Sequence, residues 1–173
     1  TSAVEGKLDE LRKGHSRVIE RGHTIILGWS EQIYTVISEL ILAYENQKKS
    51  CIVILADVDK VEMEDEIRLK IGSTGRTKVV CRSGNPMEME DLDLVSLNSS
   101  KSVIVLSPDT ENPDPEVIKT VLAITNMPKR RSDPFHIVAE IRDPKNQEAA
   151  ELVGKDEVEW IQVGNLIARI IAQ

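Results

Sequence analysis

The 173-residue chain is poor in aromatic side chains, at 3%, and poor in positive charge, with a net charge of −7. Nucleic acid calls for a basic face or stacking rings, so the joint absence argues against it as a partner. Cysteine is scarce: Cys51 and Cys81 stand at the ends of apolar runs, without metal-ligand spacing. Two such thiols make no disulfide framework and read as small core residues in a reducing compartment. Histidine is nearly as rare, with His15 in a charged N-terminal stretch and His23 and His136 each opening an apolar run. Long hydrophobic runs are missing too. The most apolar stretch, 33–43, is interrupted by Glu39 and falls well short of the roughly 20 residues a membrane span needs. No secretory leader opens the chain, which starts TSAVEGKLDEL without a methionine and is expected to be cut from something longer.

What is present is a regular alternation. Residues 1–21 read as a charged connecting helix, with Val4, Leu8 and Leu11 on one face. From residue 22 to 173, short apolar runs alternate with helical stretches: HTIILG, CIVILAD, TKVVCR, KSVIVLS, FHIVAEI and VEWIQV are the candidate strands. CIVILAD has no polar alternation before Asp57, as suits a parallel strand covered on both faces. Start signals mark several helices: Asn85-Pro86 with Glu88 at the capping-box position, Asp114-Pro115, and Asp143-Pro144. Successive strand–helix units predict an α/β fold: a doubly wound, Rossmann-like parallel sheet of six strands in order 3-2-1-4-5-6, with helices on both faces.

In such a sheet, ligands bind at the carboxyl ends of the strands, at the point where strand order reverses. Four loops converge there. The first should read G-x-G-x-x-G for a dinucleotide but runs Gly28-Trp29-Ser30-Glu31-Gln32-Ile33. Gly28 keeps the tight turn, Ser30 replaces the glycine that lets pyrophosphate approach, and Ile33 replaces the one that packs helix on strand. Glu31 adds a carboxylate in the first helical turn. Pointed at the pocket it would repel a phosphate, and pointed at water it would only stabilise the helix. Asp57, closing the second strand, sits where a ribose-binding acid belongs, or caps the helix beginning near Asp59. Arg82 and Ser83, after the third strand, can hold an anionic ligand, or Arg82 can pair with Asp57 across neighbouring strands. The fourth loop, SPDTENPDP, places Asp109, Glu111 and Asp114 together as an oxygen-rich candidate cation site, or as a solvated turn with caps. The ligand-binding candidates are therefore Gly28, Trp29, Ser30, Asp57, Arg82 and Ser83. No histidine reaches this edge and no Gly-x-Ser-x-Gly elbow occurs, so the chain reads as a non-enzyme. The rival is the NAD(P)-binding part of an oxidoreductase, motivated by Gly28 and Asp57; a third reading is a scaffold whose crevice is filled by its own side chains.

The stretches GHTIILGWSEQ, VVCRSGNP and KSVIVLSPD resemble the cytosolic region of CASTOR/POLLUX-type ion channels, an RCK-like, TrkA-N-like domain. The resemblance runs from about His15 to the C-terminus. It implies that the broken glycine motif is normal for this branch and that residues 1–21 link to an upstream membrane pore. It also implies a cytosolic regulatory domain that couples ligand or calcium binding, and assembly into a homo-oligomeric, tetrameric gating ring, to cation (potassium) conduction. Calcium is the cofactor so implied, with NAD or another nucleotide second to it. The membrane would be the plasma membrane for a microbial member and the nuclear envelope for a plant one. RCK domains usually continue into a dimerising crossover and a second lobe, whereas this sequence stops at Gln173 and is expected to be truncated there.

Overall fold

The computed structural model describes residues 2–162 and 164–172. Strands β1 (Thr24–Leu27), β2 (Ser50–Ala56), β3 (Thr77–Ser83), β4 (Ser102–Val105), β5 (Ile137–Ile141) and β6 (Val158–Gln162) form one parallel sheet. Their order is β3-β2-β1-β4-β5-β6, the doubly wound topology anticipated from the alternation. Val163, which the sequence reading places in the last strand, lies outside the described residues. The central strands β1, β2 and β4 have almost no exposed side chain, because helices cover both faces. On one face, Ile26, Ile52, Ile54 and Ile104 meet α2 (Ile33–Ala43), α3 (Lys60–Lys70) and α7 (Leu166–Ile171). On the other, Ile25, Leu27, Val53 and Val105 meet α5 (Asp114–Thr125), with Val153 of α6 (Gln147–Gly154) packed at the margin.

The crossover from β3 to β4 differs from expectation. Asn85-Pro86 does not open a helix. Asn85 Oδ1 accepts from the Met87 amide (2.9 Å) and its carbonyl accepts from the Glu88 amide (3.0 Å), which closes a turn. An asparagine side chain that bonds its own backbone two residues on competes with helix capping, and here the turn wins. Helix α4 is then a single turn, Met89–Leu92, followed by 3-10 turns at 93–95 and 97–99 on either side of Ser96 in the left-handed region. Asp114 also departs from its assigned role: it is the first residue of α5 rather than the cap, and its carboxylate serves another loop.

Helix α1 (Ser2–Lys13) buries no residue, and Val4, Leu8 and Leu11 remain exposed, as suits a connecting segment. The chain just after it is bound tightly to the sheet. Gly14 O accepts from the Ser83 amide (3.1 Å), Ser16 O accepts from Arg82 Nε (2.5 Å), and the Val18 amide donates to Leu94 O (2.8 Å). Val18 itself enters the core. Gly14 makes this possible: its φ is +77°, and a Cβ there would stand 2.9 Å from Lys60 Cβ and 3.1 Å from the Ser83 amide nitrogen. Replacing Gly14 with alanine adds left-handed strain and a clash with Lys60 Cβ, so Gly14→Ala should lower the unfolding free energy by about 1–3 kcal/mol in urea denaturation. Gly22→Ala, where a Cβ would meet nothing within 4 Å, should cost less.

Candidate functional site

The first loop leaves β1 at Gly28, whose φ of +101° and bond from its amide to Leu55 O (2.9 Å) make the tight turn. A Cβ on Gly28 would stand 3.4 Å from Leu106 O, close to the limit of contact. The backbone then passes buried Ser30 and enters α2. In a dinucleotide fold the amides here would receive the pyrophosphate. One of them is already engaged: the Glu31 amide donates to Asp109 Oδ2 at 2.8 Å. Glu31 itself turns outward, with Oε2 at 3.4 Å from Lys70 Nζ and the side chain 80% exposed. The carboxylate that matters at this helix start is thus Asp109, delivered from the loop after β4. A helix start favours an anion by about 0.3–1 kcal/mol, up to about 2 when partly buried. A second unit charge about 5–6 Å from a carboxylate is repelled by roughly 3 kcal/mol at an effective dielectric of 20. While Asp109 stays bonded there, repulsion outweighs the dipole and a diphosphate is disfavoured.

Beside this contact is a cleft of about 340 Å³ whose walls include Gly28, Trp29, Asp57, Asn85, Met87 and Glu116. Among the described residues, the charged ones that line it are Asp57 and Glu116, and no lysine or arginine lines it. Trp29 is steadied edge-on against Tyr34, with ring centroids 5.8 Å apart, and Lys70 Nζ lies 4.4 Å from the centre of the Tyr34 ring. Asp57 is free of the capping role, which falls to Asp59: Asp59 Oδ2 accepts from the Glu62 amide at 3.2 Å. The structure therefore brings Gly28, Trp29 and Asp57 to one cavity.

Arg82 and Ser83 are elsewhere. Arg82 neither pairs with Asp57 nor lines the cleft; its guanidinium bonds Ser16 O (2.5 Å) and Cys81 O (2.8 Å). Alternation along β3 sends Arg82 to the face where the N-terminal segment runs. Ser83 Oγ donates to Val58 O (2.8 Å). The three acids of the fourth loop are not gathered into a cage. Asp109 holds the Glu31 amide, and Glu111 is exposed. Asp114 is 1% exposed and accepts from the Arg142 amide (2.8 Å), the Asp143 amide (2.9 Å) and Asn146 Nδ2 (2.8 Å). Burial opposes its charge, but these bonds and the Arg142 charge together hold its carboxyl below the usual range. Among the described residues, no group of three or more His, Cys, Asp or Glu side chains could hold a metal ion.

Sequence reading missed Glu140. It lies at the carboxyl end of β5, fully buried, and accepts from Gln32 Nε2 at 2.8 Å through Oε1. Among the described residues its Oε2 has no partner, and neither do the buried hydroxyls of Ser30 and Ser107. All three belong to the carboxyl ends of the adjacent strands β1, β4 and β5. The available signal was an acid inside the apolar run FHIVAEI. Burial pushes the Glu140 carboxyl above its ordinary range, against the opposing influence of Gln32 and Arg142. Because the folded pKa is raised, its contribution to stability is fullest below the unfolded pKa and is lost as pH rises through the folded value. Glu140→Gln should therefore be more stable than the parent at pH 7, with the difference shrinking toward acid pH, as thermal unfolding across pH 4–8 would record.

Residues 20–153 match the family described as the calcium-activated potassium channel slowpoke-like RCK domain. The ion channel CASTOR of Lotus japonicus is 36% identical over 176 residues, covering 100% of this chain and 20% of the relative. The calcium-gated potassium channel TvoK of Thermoplasma volcanium is 26% identical over 166 residues, covering 94% of this chain and 42% of the relative. In fold, the chain is similar to the human SLO3 gating ring, with a TM-score of 0.59 at 15% identity over 88% of this chain and 31% of that one. The chain spans about a fifth of the length of the CASTOR relative. The chain belongs to the family of slowpoke-like RCK domains.

Proposed function

We propose that this RCK domain is the cytosolic ligand-sensing part of a cation channel, and that its sensing cleft takes a divalent cation, calcium first, rather than a dinucleotide. The observation that carries the reading is the Asp109 carboxylate seated on the Glu31 amide, where a pyrophosphate would otherwise lie. The cleft beside it supports the same conclusion, since Asp57 and Glu116 are the charged residues among the described ones that line it. Three buried oxygens without partners among the described residues, on Ser30, Ser107 and Glu140, lie outside the cleft lining at the same edge of the sheet. Oxygen donors of this kind suit a hard cation. Exposed Glu111, and the Asp109 oxygen not bonded to the Glu31 amide, are the loop oxygens that could join them, while Asp114 shapes the loop. A relative that is a calcium-gated potassium channel supports the choice of ion. On this reading the ligand contacts include Gly28, Trp29 and Asp57, and the chain has no catalytic role.

The same geometry offers a route from ligand to pore. Asn85 and Met87 line the cleft, and they continue directly from Arg82 and Ser83, which grip the segment after α1. A ligand that shifts the 85–87 turn would pull on that segment. Residues 1–21 would be the linker to a membrane pore, with several copies assembled as a ring. A ligand moves such an equilibrium only if it prefers one state of the ring.

Calcium titrated into the purified chain should raise its melting temperature, and Asp109→Ala should weaken calcium affinity by about tenfold or more, a loss of about 1.4 kcal/mol or more. NAD at millimolar concentration should produce no shift. Absence of any response to calcium, or a crystal soaked with NAD whose pyrophosphate sits on the amides of residues 30–32, would overturn the reading.

A further inference from the structure

The amino edge of the sheet, opposite the cleft, carries the reverse charge. A pocket of about 230 Å³ there is lined by Arg21, Lys49, Arg76 and Lys78, with Glu20 as its single acid. On a chain with a net charge of −7, four cations around one small cavity are a local inversion. Glu20 is already committed, its Oε1 standing 2.6 Å from Lys78 Nζ. Arg21, Lys49 and Arg76 make no ion pair among the described residues, and all three are exposed.

The sheet itself forces these charges together. β2 and β3 are parallel, and Ser50 stands opposite Thr77 and Cys51 opposite Lys78. Ser50 Oγ and Thr77 Oγ1 lie 2.7 Å apart, which locks the register at the start of both strands. Lys49 and Arg76 each precede that locked pair by one residue, so they leave the sheet side by side, about 4.8 Å apart in the strand-to-strand direction. Like charges on neighbouring strands destabilise a sheet unless a counter-charge lies between them. Arg21 closes the pocket from the segment just before β1. Guanidinium forks and an ammonium around one cavity match the oxygens of a phosphate group.

We propose that this pocket is an anion site for a small polyvalent phosphate, either free in solution or as the exposed headgroup of a phosphorylated lipid. It shares no lining residue with the cleft at the carboxyl edge, so the two sites are separable. A bound anion would bridge β2, β3 and the segment that leads from α1 to β1. It would therefore act on the same segment that Arg82 holds.

The test is calorimetric titration of the 173-residue chain with sodium pyrophosphate at low ionic strength. Parallel sedimentation is run with phosphatidylcholine vesicles with and without phosphatidylinositol bisphosphate. The expected result is saturable binding of pyrophosphate or of the phosphorylated vesicles, weakening as salt is added. The double variant Lys49→Gln/Arg76→Gln should lose affinity by at least about tenfold, while Asp57→Asn, in the cleft, should keep it. Binding of free pyrophosphate identifies a soluble ligand, and binding of the vesicles alone identifies the lipid headgroup. Without ligand, the double variant should be as stable as the parent or more so, because it removes the like-charge contact. Failure of both probes to bind, or equal binding by the double variant, overturns the proposal.

Discussion

The bond from the Glu31 amide to the Asp109 carboxylate ties the loop after β4 to the first crossover, across the point where strand order reverses. Charge-assisted hydrogen bonds of this kind are roughly twice as strong as neutral ones. The bond occupies a donor that the fold otherwise offers to a phosphate, and it holds Pro108 in the cleft wall. It also decides the sign of the site. With Asp109 in place, the described residues that bound the cavity between the loops are acids and uncharged side chains.

The two ends of the sheet divide the remaining work. At the carboxyl edge, the buried oxygens of Ser30, Ser107 and Glu140 and the acidic cleft lie at the same end of the sheet. At the amino edge, parallel register crowds lysine and arginine at the starts of β2 and β3. Between them runs the segment after α1, held by Gly14, Ser16 and Val18 against Arg82, Ser83 and Leu94. An otherwise exposed helix is thereby attached to the sheet at the end of β3, next to the turn that lines the cleft. Events at the cleft and at the N-terminal segment are separated by only a few residues of chain.

The sequence and the structure diverge in instructive places. Strand order and the buried faces were legible, because continuous apolar runs leave a parallel strand no solvent-facing side. The Gly28 turn and the position of Asp57 were legible for the same local reason. Arg82 was misplaced, since the path of residues 14–18 brings the Ser16 carbonyl to its guanidinium and holds it away from the cleft. Asn85-Pro86 carried a helix-start signal, but an Asx turn satisfied the same groups sooner. Asp114 looked like a cap, and its bonds go to a loop nearly thirty residues later in the chain. Glu140 drew no notice, because one acid at the end of an apolar strand has no meaning until its neighbours are known.

By itself, then, the amino-acid sequence determined the alternation of strands and helices, the broken glycine motif and the excess of acid. These follow from periodicity, backbone propensity and composition, which are local properties. Only the tertiary structure decided which carboxylate reaches the first crossover, which arginine leaves the crevice and which lysines meet at the far edge. Those outcomes depend on which distant loops and strands are brought side by side, and a through-space charge interaction has no signature in sequence order.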